Sequence, residues 1–321
     1  MIISKTPYRI PWSGGGTDHK FYYSLKGGDL ISIAIKEYVY VFLNERNISR
    51  DYLIQTTSTQ FANKINNIDH DLIRECLKYF KIKKYLQIGT YTTVPTKTGL
   101  GSSSAMFVGL INCIYKYLNK KANKIKIITE AFKIEREICG IQGGWQDQII
   151  STYGGIQRIN IKKNGEFTTQ KIKIDANKRR DLQKKLFLIY SHSKRESSEV
   201  IKSQEINKKK IIIYYDQIKS FNKNAANFLK KNSKIDIGNL FNEHWEIKKK
   251  LSNKITNKKI DRLYLQCKNH ISGGKLIGAG GGGFILAYTD HPEKFVKFLK
   301  KKSIDYIKFE LDDYGSRIIN V

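Results

Sequence analysis

The sequence lacks the cysteine and histidine patterns of disulfide frameworks and zinc sites. Its four cysteines lie far apart in the chain and form no Cys-x-x-Cys pair: Cys76, Cys113, Cys139 and Cys267. None of the six histidines belongs to a His-Glu-x-x-His pattern. We therefore expect apolar, buried cysteines in a reducing cytoplasm, and no zinc site.

The chain also lacks a long apolar segment. No run of apolar residues approaches the length of a membrane span, and residues 1–7 do not have the plan of a signal peptide. The expected protein is cytoplasmic and has no membrane as a partner.

Acidic residues are scarce, since 29 Asp and Glu stand against 58 Lys and Arg, a formal net charge of +29. A basic surface attracts nucleic acid, but it equally attracts ATP and sugar phosphates. The lysines are spread through Lys/Asn/Ile-rich stretches such as residues 208–213 and 248–254, and no recognisable nucleic-acid motif accompanies them. Solvated helix faces account for this pattern. We therefore do not expect nucleic acid as a partner.

The composition that is present fits a folded globular protein. A chain of 321 residues with 40% hydrophobic content can bury a sizeable core, in two domains or one large one. Basic and polar residues between Asp175 and Lys185 precede an apolar strand at residues 186–190. We place the domain boundary there, which predicts domains at residues 1–180 and 181–321.

A strand, a glycine- and serine-rich loop and a helix are predicted in the middle of the chain. Residues 86–94 are β-branched and alternating, and apolar residues recur at helical spacing from Met106 to Leu118. In the loop between them, Gly99 and Gly101 allow backbone N–H groups to converge on one point. Ser102, Ser103 and Ser104 are predicted at the N-cap of the helix, whose positive end suits an anion such as a triphosphate.

The local pattern of this loop leaves two interpretations open. An ordinary turn followed by a helix cap has the same residue types as a phosphate-binding loop. The loop is not a Walker A sequence, because Gly101 is not followed by Lys and Ser/Thr at that spacing.

A second glycine-rich segment follows Arg9, whose fork-shaped guanidinium suits phosphate or carboxylate. Three consecutive glycines lead into two polar residues: Gly14, Gly15, Gly16, Thr17 and Asp18. The glycines let the backbone pass close to a ligand, and the polar side chains offer contacts at the end of the turn. A structural β-turn is the alternative.

Two acidic residues stand at positions suited to chemistry. Glu135 lies on the apolar side of a helix predicted over residues 129–138, where a carboxylate needs a metal ion or a salt bridge, for instance to Arg136. Asp147 falls in the first turn of a helix that ends at Gly154 and Gly155. A capping role is the alternative for Asp147.

Two features follow in the second half of the chain. Lys194 and Arg195 stand with serines at the start of a predicted helix, which forms either a second anion site or a capping box. Residues 273–283 read Gly-Gly-Lys-Leu-Ile-Gly-Ala-Gly-Gly-Gly-Gly and lead into a strand. A dinucleotide fingerprint would instead open a helix.

Three motifs together resemble those of the GHMP kinase superfamily, which includes galactokinase, homoserine kinase and mevalonate kinase. The first is Pro95-x-x-x-Gly99-Leu100-Gly101-Ser102-Ser103-Ser104-Ala105, which is similar to the ATP loop of the family. The others are Gly-x-x-Asp147-Gln with a downstream Tyr-Gly-Gly, and the glycine run at residues 273–283. The segment Gly-Gly-Gly-Thr-Asp18 departs from the Gly-Glu-His-Thr-Asp of galactokinases and resembles D-glycero-D-manno-heptose 7-phosphate kinases.

The resemblance implies an α+β fold of two domains, a ribosomal S5 domain 2-like N-terminal domain and a ferredoxin-like C-terminal domain. ATP would bind the loop from Pro95 to Ala105, and Mg²⁺ would bind Ser103 and Glu135. Asp147 would be the catalytic base, and Arg9 would be a further catalytic residue. The substrate residues that the resemblance implies are Arg9, Gly14, Gly15, Gly16, Thr17, Asp18, Lys194, Arg195, Gly280 and Gly281.

The resemblance further implies a sugar kinase that uses Mg²⁺ and ATP to phosphorylate the anomeric hydroxyl of D-glycero-D-manno-heptose 7-phosphate. The 1,7-bisphosphate product would supply nucleotide-activated heptose for capsule or other surface glycans, and the resemblance permits a homodimer. A kinase for fucose or galactose is one alternative. A basic nucleic-acid-binding protein on an inactive kinase fold is another, although the intact ATP loop, Glu135 and Asp147 argue against it.

Overall fold

Two β-sheets with helices packed on them make up the fold of the protein, seen in a computed structural model that describes residues 1–193, 197–205, 208–230 and 233–319. The strands are β1 (Ile2–Ser13), β2 (Gly28–Glu45), β3 (Tyr52–Gln55), β4 (Thr59–Ala62), β5 (Leu86–Thr92), β6 (Ile156–Ile161), β7 (Phe167–Lys171), β8 (Leu186–Tyr190), β9 (Gly273–Leu276), β10 (Phe284–Tyr288), β11 (Tyr306–Ile307) and β12 (Arg317–Ile319).

The α-helices connect these strands and cover the sheets. They are α1 (Lys20–Lys26), α2 (Asp71–Tyr79), α3 (Ser102–Tyr117), α4 (Lys124–Phe132), α5 (Gln146–Tyr153), α6 (Ala176–Lys185), α7 (Ser197–Glu205), α8 (Lys208–Ser220), α9 (Asn222–Phe228), α10 (Ile237–Lys249), α11 (Lys258–Lys268) and α12 (Pro292–Lys301). A 3₁₀ turn covers Ile65–Asn67, and a π-helix covers Lys133–Ile138.

The first sheet is built around the antiparallel pair β1 and β2. Alternation in the sequence predicts two separate strands at residues 30–35 and 38–43, but β2 is one strand of 18 residues. A register shift between Pro7 and Tyr8 of β1 keeps the two strands paired across this point. The first half of β2 pairs with β6, which pairs with β7, and its second half pairs with β5. Strands β3 and β4 extend the sheet beyond β5.

The second sheet has the strand order β11-β8-β10-β9 and is antiparallel throughout. Its side chains alternate between two cores, as expected for a sheet that is covered on both faces. Leu188 and Leu286 face the large core around the first sheet, whereas Phe187 and Ile285 pack with Trp245 of α10. The two faces of this sheet therefore pack against different cores.

The last segment of the described chain returns to the first sheet. Leu311 forms a bridge with Ile35, and β12 pairs with β1, with Ile319 opposite Ile3. The predicted domain boundary between residues 180 and 181 stays a prediction. No helix in the described ranges has the length and apolar character that crossing a membrane would require.

Helix α3 follows β5 and the glycine loop, as the sequence predicts. It is buried along most of its length and packs on β1 and β2. The core encloses the sides of α3. The loop just before its first turn approaches Ile277 and Gly278, next to β9 of the second sheet. This turn positions the candidate site.

Candidate active site

A cavity of about 440 Å³ lies beside the first turn of α3, between this helix, α5, α10 and β9. Eleven of the predicted site residues line it: Arg9, Gly15, Gly16, Asp18, Gly99, Gly101, Ser102, Ser103, Ser104, Glu135 and Asp147. The fold therefore brings four separate parts of the sequence to one place.

Five other predicted site residues do not line the cavity but are close in sequence to residues that do: Gly14, Thr17, Pro95, Leu100 and Ala105. The Thr17 hydroxyl donates to the carbonyl oxygen of Gly14 at 2.7 Å, which holds the glycine turn closed. The backbone N–H of Arg9 donates to the carbonyl oxygen of Leu100 at 3.1 Å, which ties β1 to the loop before α3.

Of the other four predicted residues, two do not line the cavity and two are not described by the structure. Gly280 and Gly281 pack against Ile255, and the N–H of Gly281 donates to the Ile255 carbonyl oxygen at 2.5 Å. Lys194 and Arg195 lie outside the described residues. A substrate-binding role for these four residues stays a prediction.

The start of α3 differs from the prediction. The predicted N-cap position of Ser102–Ser104 is wrong, because Gly101 is the N-cap and the serines form the first helical turn. Gly101 has a φ of 79°, which L-residues with a side chain rarely adopt. A Cβ at Gly101 would also lie 3.2 Å from Oδ2 of Asp147. Since the first N–H groups of an α-helix lack partners within the helix, they are available here to an anion in the cavity.

Asp147 and Arg9 form an ion pair at the edge of this turn. Nε of Arg9 donates to Oδ1 of Asp147 at 2.6 Å, and Nη1 of Arg9 donates to the carbonyl oxygen of Gly99. Burial raises the pKa of the Asp147 carboxyl. The charge and hydrogen bond of Arg9, with the charges of Arg136 and His19, lower this pKa by more than burial raises it, so it lies below its ordinary value. The carboxylate is therefore ionised at neutral pH and able to accept a proton.

Glu135 faces the interior, as predicted, with 1% of its surface exposed. Its Oε1 accepts from the hydroxyls of Ser103 at 3.3 Å and Ser104 at 3.0 Å, and its Oε2 accepts from Nε2 of Gln148 at 2.7 Å. The alternative partner is also present, because Nη1 of Arg136 lies 3.5 Å from Oε1. The Glu135 carboxylate therefore contacts both the first turn of α3 and the guanidinium of Arg136.

The helix that carries Glu135 was expected over residues 129–138, but α4 ends at Phe132 and a π-helix follows. Successive residues of an α-helix point about 100° apart, so one ligand is rarely reached by two neighbours. Here Glu135 and Arg136 both contact the Ser104 hydroxyl, Arg136 through Nη2 at 3.2 Å. Both residues lie in the π-helix, and such turns are frequent at functional sites.

Asp18 joins the glycine turn to α5. Its Oδ1 accepts from the N–H of Gly16 at 3.2 Å, and its Oδ2 accepts from the N–H of Gln146 at 2.9 Å. Because Gln146 precedes Asp147, these bonds fix the glycine turn relative to the predicted base. A role of Asp18 in binding sugar hydroxyls stays a prediction.

Comparison with known proteins identifies the family. Residues 71–155 match the GHMP kinases N terminal domain. Over 237 residues the chain is 31% identical to a mevalonate kinase from Methanocaldococcus jannaschii, and the match covers 72% of each protein. The chain belongs to the GHMP kinase family.

This GHMP kinase is similar over most of its length to two further proteins. It is 27% identical over 320 residues to the D-glycero-alpha-D-manno-heptose 7-phosphate kinase of Campylobacter jejuni, with 94% of each chain covered. A solved structure of a D-glycero-D-manno-heptose 1-phosphate kinase from Bacteroides thetaiotaomicron matches 100% of the chain and 99% of its own length, with a TM-score of 0.76 and 20% identity. The predicted α+β, two-domain kinase fold is confirmed, and family membership makes ATP the co-substrate.

No sequence motif predicts the part of the cavity wall that α10 and β9 contribute. His244 and Lys248 of α10 and Lys275 of β9 line the cavity and are buried. The lysine-rich composition of the region suggested solvated helix faces only. A usable signal was present, since His244 and Lys248 are one helical turn apart, on the same side as the apolar Phe241.

We expect the buried ammonium of Lys275 to make the stability of this GHMP kinase depend on pH. Burial lowers the pKa of Lys275 from 10.5 to about 7. Between these values the unfolded chain holds a proton that the folded chain has released, so stability due to this residue rises with pH. Above about pH 7.5, the free energy of unfolding of the wild type, measured in urea and compared with that of Lys275→Met, should rise by up to about 1.4 kcal/mol per pH unit.

The control for this experiment is Lys249→Met, the same substitution at a half-buried lysine of α10 that does not line the cavity and pairs with Glu246 at 2.8 Å. It reports the effect of removing a surface charge. A stability difference between the wild type and Lys275→Met that stays constant with pH would contradict the prediction.

Proposed function

We propose that this GHMP kinase transfers the γ-phosphoryl group of ATP to the anomeric hydroxyl of D-glycero-D-manno-heptose 7-phosphate and forms the 1,7-bisphosphate. The observation that carries the proposal is the Asp147 side chain, held by Arg9 in a cavity beside the first turn of α3. The similarity to the Campylobacter jejuni heptose 7-phosphate kinase supports the substrate. The product is suited to the synthesis of nucleotide-activated heptose for surface glycans.

In this mechanism the chain positions the reactants and accepts one proton. The triphosphate binds the N–H groups of the first turn of α3. The sugar oxygen attacks the γ-phosphorus, the bond from this phosphorus to the β,γ-bridging oxygen breaks, and ADP leaves. Because Oδ1 of Asp147 accepts from Arg9, we assign the sugar proton to Oδ2. A weak base suffices, since phosphoryl transfer depends mostly on positioning and charge neutralisation.

Ser103 and Glu135 fit a magnesium ion. Their oxygens lie 3.3 Å apart in the cavity and are of the type that Mg²⁺ takes as ligands. Within the part of the chain that the structure covers, no group of three or more His, Cys, Asp or Glu side chains could hold a metal ion. Two protein oxygens beside a triphosphate match the way that Mg²⁺ usually binds, with phosphates and waters as its other ligands. When bound, the ion neutralises charge on the phosphates.

The proposal is tested by phosphoryl transfer from MgATP to a panel of sugars. The panel contains D-glycero-D-manno-heptose 7-phosphate, sedoheptulose 7-phosphate, mannose, galactose and fucose. We expect turnover of the heptose phosphate with a kcat/KM at least about tenfold above that of every other sugar, detected as ADP release and as the 1,7-bisphosphate by ³¹P NMR.

Two results would contradict the proposal. Preferred turnover of mannose, galactose or fucose would keep the kinase and replace its substrate. Absence of turnover across the panel, with salt-sensitive binding to random DNA, would favour the nucleic-acid-binding alternative.

A further inference from the structure

The wall of the cavity formed by α10 and β9 is basic and buried. Three side chains compose this basic wall: His244 (4% exposed), Lys248 (8% exposed) and Lys275 (2% exposed). Charged side chains are rarely this buried without a partner of opposite charge.

Lys275 has no such partner among the described residues. Its Nζ donates to the carbonyl oxygen of Trp12 at 2.6 Å and lies 4.9 Å from the centre of the Phe241 ring. No carboxylate in the described ranges forms an ion pair with it. One of the three ammonium donors is used by Trp12, and the cavity is the open side on which the others can be satisfied.

The ring nitrogens of His244 form even fewer hydrogen bonds than the ammonium group of Lys275. Neither Nδ1 nor Nε2 has a hydrogen-bond partner within the described part of the chain. Burial lowers its pKa well below the ordinary value, and the charges of Lys275 and Lys248 lower it further. A buried imidazole with two unpaired nitrogens is costly, and a structural role alone does not explain it.

A purely structural role accounts for only part of the basic wall. Nζ of Lys248 donates to the carbonyl oxygens of Leu276 at 2.8 Å and Gly278 at 2.6 Å. These bonds hold the glycine run at residues 273–283 against α10. No comparable bond engages His244 among the described residues. The wall thus combines a structural lysine with two basic groups that face the substrate cavity.

We propose that the basic wall binds the phosphate group that the sugar substrate already carries. This inference rests on the proposed function, because it assigns a position to the phosphate of a sugar phosphate. A phosphomonoester supplies the missing negative charge to Lys275 and hydrogen-bonding oxygens to His244. An unphosphorylated sugar leaves both groups unsatisfied, so the wall selects sugar phosphates over free sugars.

The position of the wall agrees with this assignment. Lys275 bonds to Trp12, which stands shortly before the glycine turn that contains Gly15 and Gly16. Those glycines and Asp147 line the same cavity. A sugar seated on the turn can therefore place its anomeric hydroxyl at Asp147 and its phosphate at the basic wall.

The first test measures binding of inorganic phosphate by calorimetry, with the ATP loop filled by a non-hydrolysable ATP analogue and Mg²⁺. We expect Lys275→Met and His244→Gln each to weaken phosphate binding at least about tenfold. Lys249→Met is the matched control on α10 and should bind phosphate as the wild type does. Two variants are used because Lys275→Met can disturb folding, which circular dichroism detects, whereas His244 makes no hydrogen bond to the described protein that the change would break.

The second test compares kcat/KM for D-glycero-D-manno-heptose 7-phosphate and for the free heptose. We expect both variants to lower the ratio of these two values at least about tenfold, since only the phosphorylated sugar uses the wall. This ratio separates phosphate recognition from a general loss of activity.

The outcomes of the two tests are distinguishable from those of the sugar panel. Phosphate binding that is equal in all variants, or that is lost in Lys194→Met and Arg195→Met but kept in Lys275→Met and His244→Gln, would overturn the inference. Phosphate binding that depends on Lys275 and His244, without turnover of any sugar phosphate, would support the subsite and overturn the proposed function.

Discussion

Asp147→Asn is expected to lower kcat for phosphoryl transfer by about 10²- to 10⁴-fold and to leave ATP binding within about twofold. Asparagine keeps an oxygen that can accept from Nε of Arg9, so the geometry beside α3 is preserved. It cannot take the proton of the sugar hydroxyl, because the amide is not basic. The loss should therefore fall on kcat rather than on the affinity for ATP.

Single-turnover kinetics with saturating ATP measures this effect, and calorimetry measures ATP binding. The matched control is Asp71→Asn, the same substitution in the first turn of α2, where the carboxylate pairs with Arg74 at the surface. It should retain full activity. A kcat of Asp147→Asn within tenfold of the wild type would remove Asp147 from the role of base.

Glu135→Gln is the second substitution with a large expected effect. It removes the carboxylate that contacts Ser103 and Gln148, and it leaves a side chain of the same shape. We expect kcat/KM for ATP to fall by at least about 100-fold, the factor that corresponds to losing about 2.7 kcal/mol of charge stabilisation. The Mg²⁺ concentration that gives half-maximal activity should rise.

Activity measured against free Mg²⁺ at fixed ATP tests this prediction. Glu130→Gln is the control, because Glu130 is a neighbouring carboxylate on α4 whose Oε2 accepts from the hydroxyl of Tyr115 at 2.6 Å, away from the cavity. An unchanged Mg²⁺ dependence in Glu135→Gln would show that Glu135 acts structurally, through Arg136 and Ser104.

The parts of the site that could be predicted from the sequence are those that local rules determine. The loop with Gly99 and Gly101 between β5 and α3 could be predicted because its backbone conformation depends on the glycines themselves and on the residue pattern on either side. Asp147 follows from the bend before α5 and the stop at Gly154. The resemblance to a known family then assigned chemical roles to residues whose local pattern left two interpretations open.

The parts that could not be predicted depend on contacts between distant segments. Lys275 is one lysine among many until β9 is placed beside Trp12. His244 lies on the apolar side of α10, but its place in the cavity wall depends on the packing of α10 against β9. The π-helix at Glu135 is a tertiary effect, since nothing in its residues excludes an ordinary α-helix. The continuous β2 likewise depends on a register shift in β1, its partner strand.

The return of the chain to the first sheet limits how the cavity can open. The polypeptide leaves that sheet after β7 and rejoins it at Leu311 and β12, so it crosses between the two sheets twice. The two sheets also share a core, because Leu188 and Leu286 of the second sheet pack in the cluster around the first. A displacement of one sheet relative to the other would therefore expose apolar side chains of this core and would have to preserve both connections.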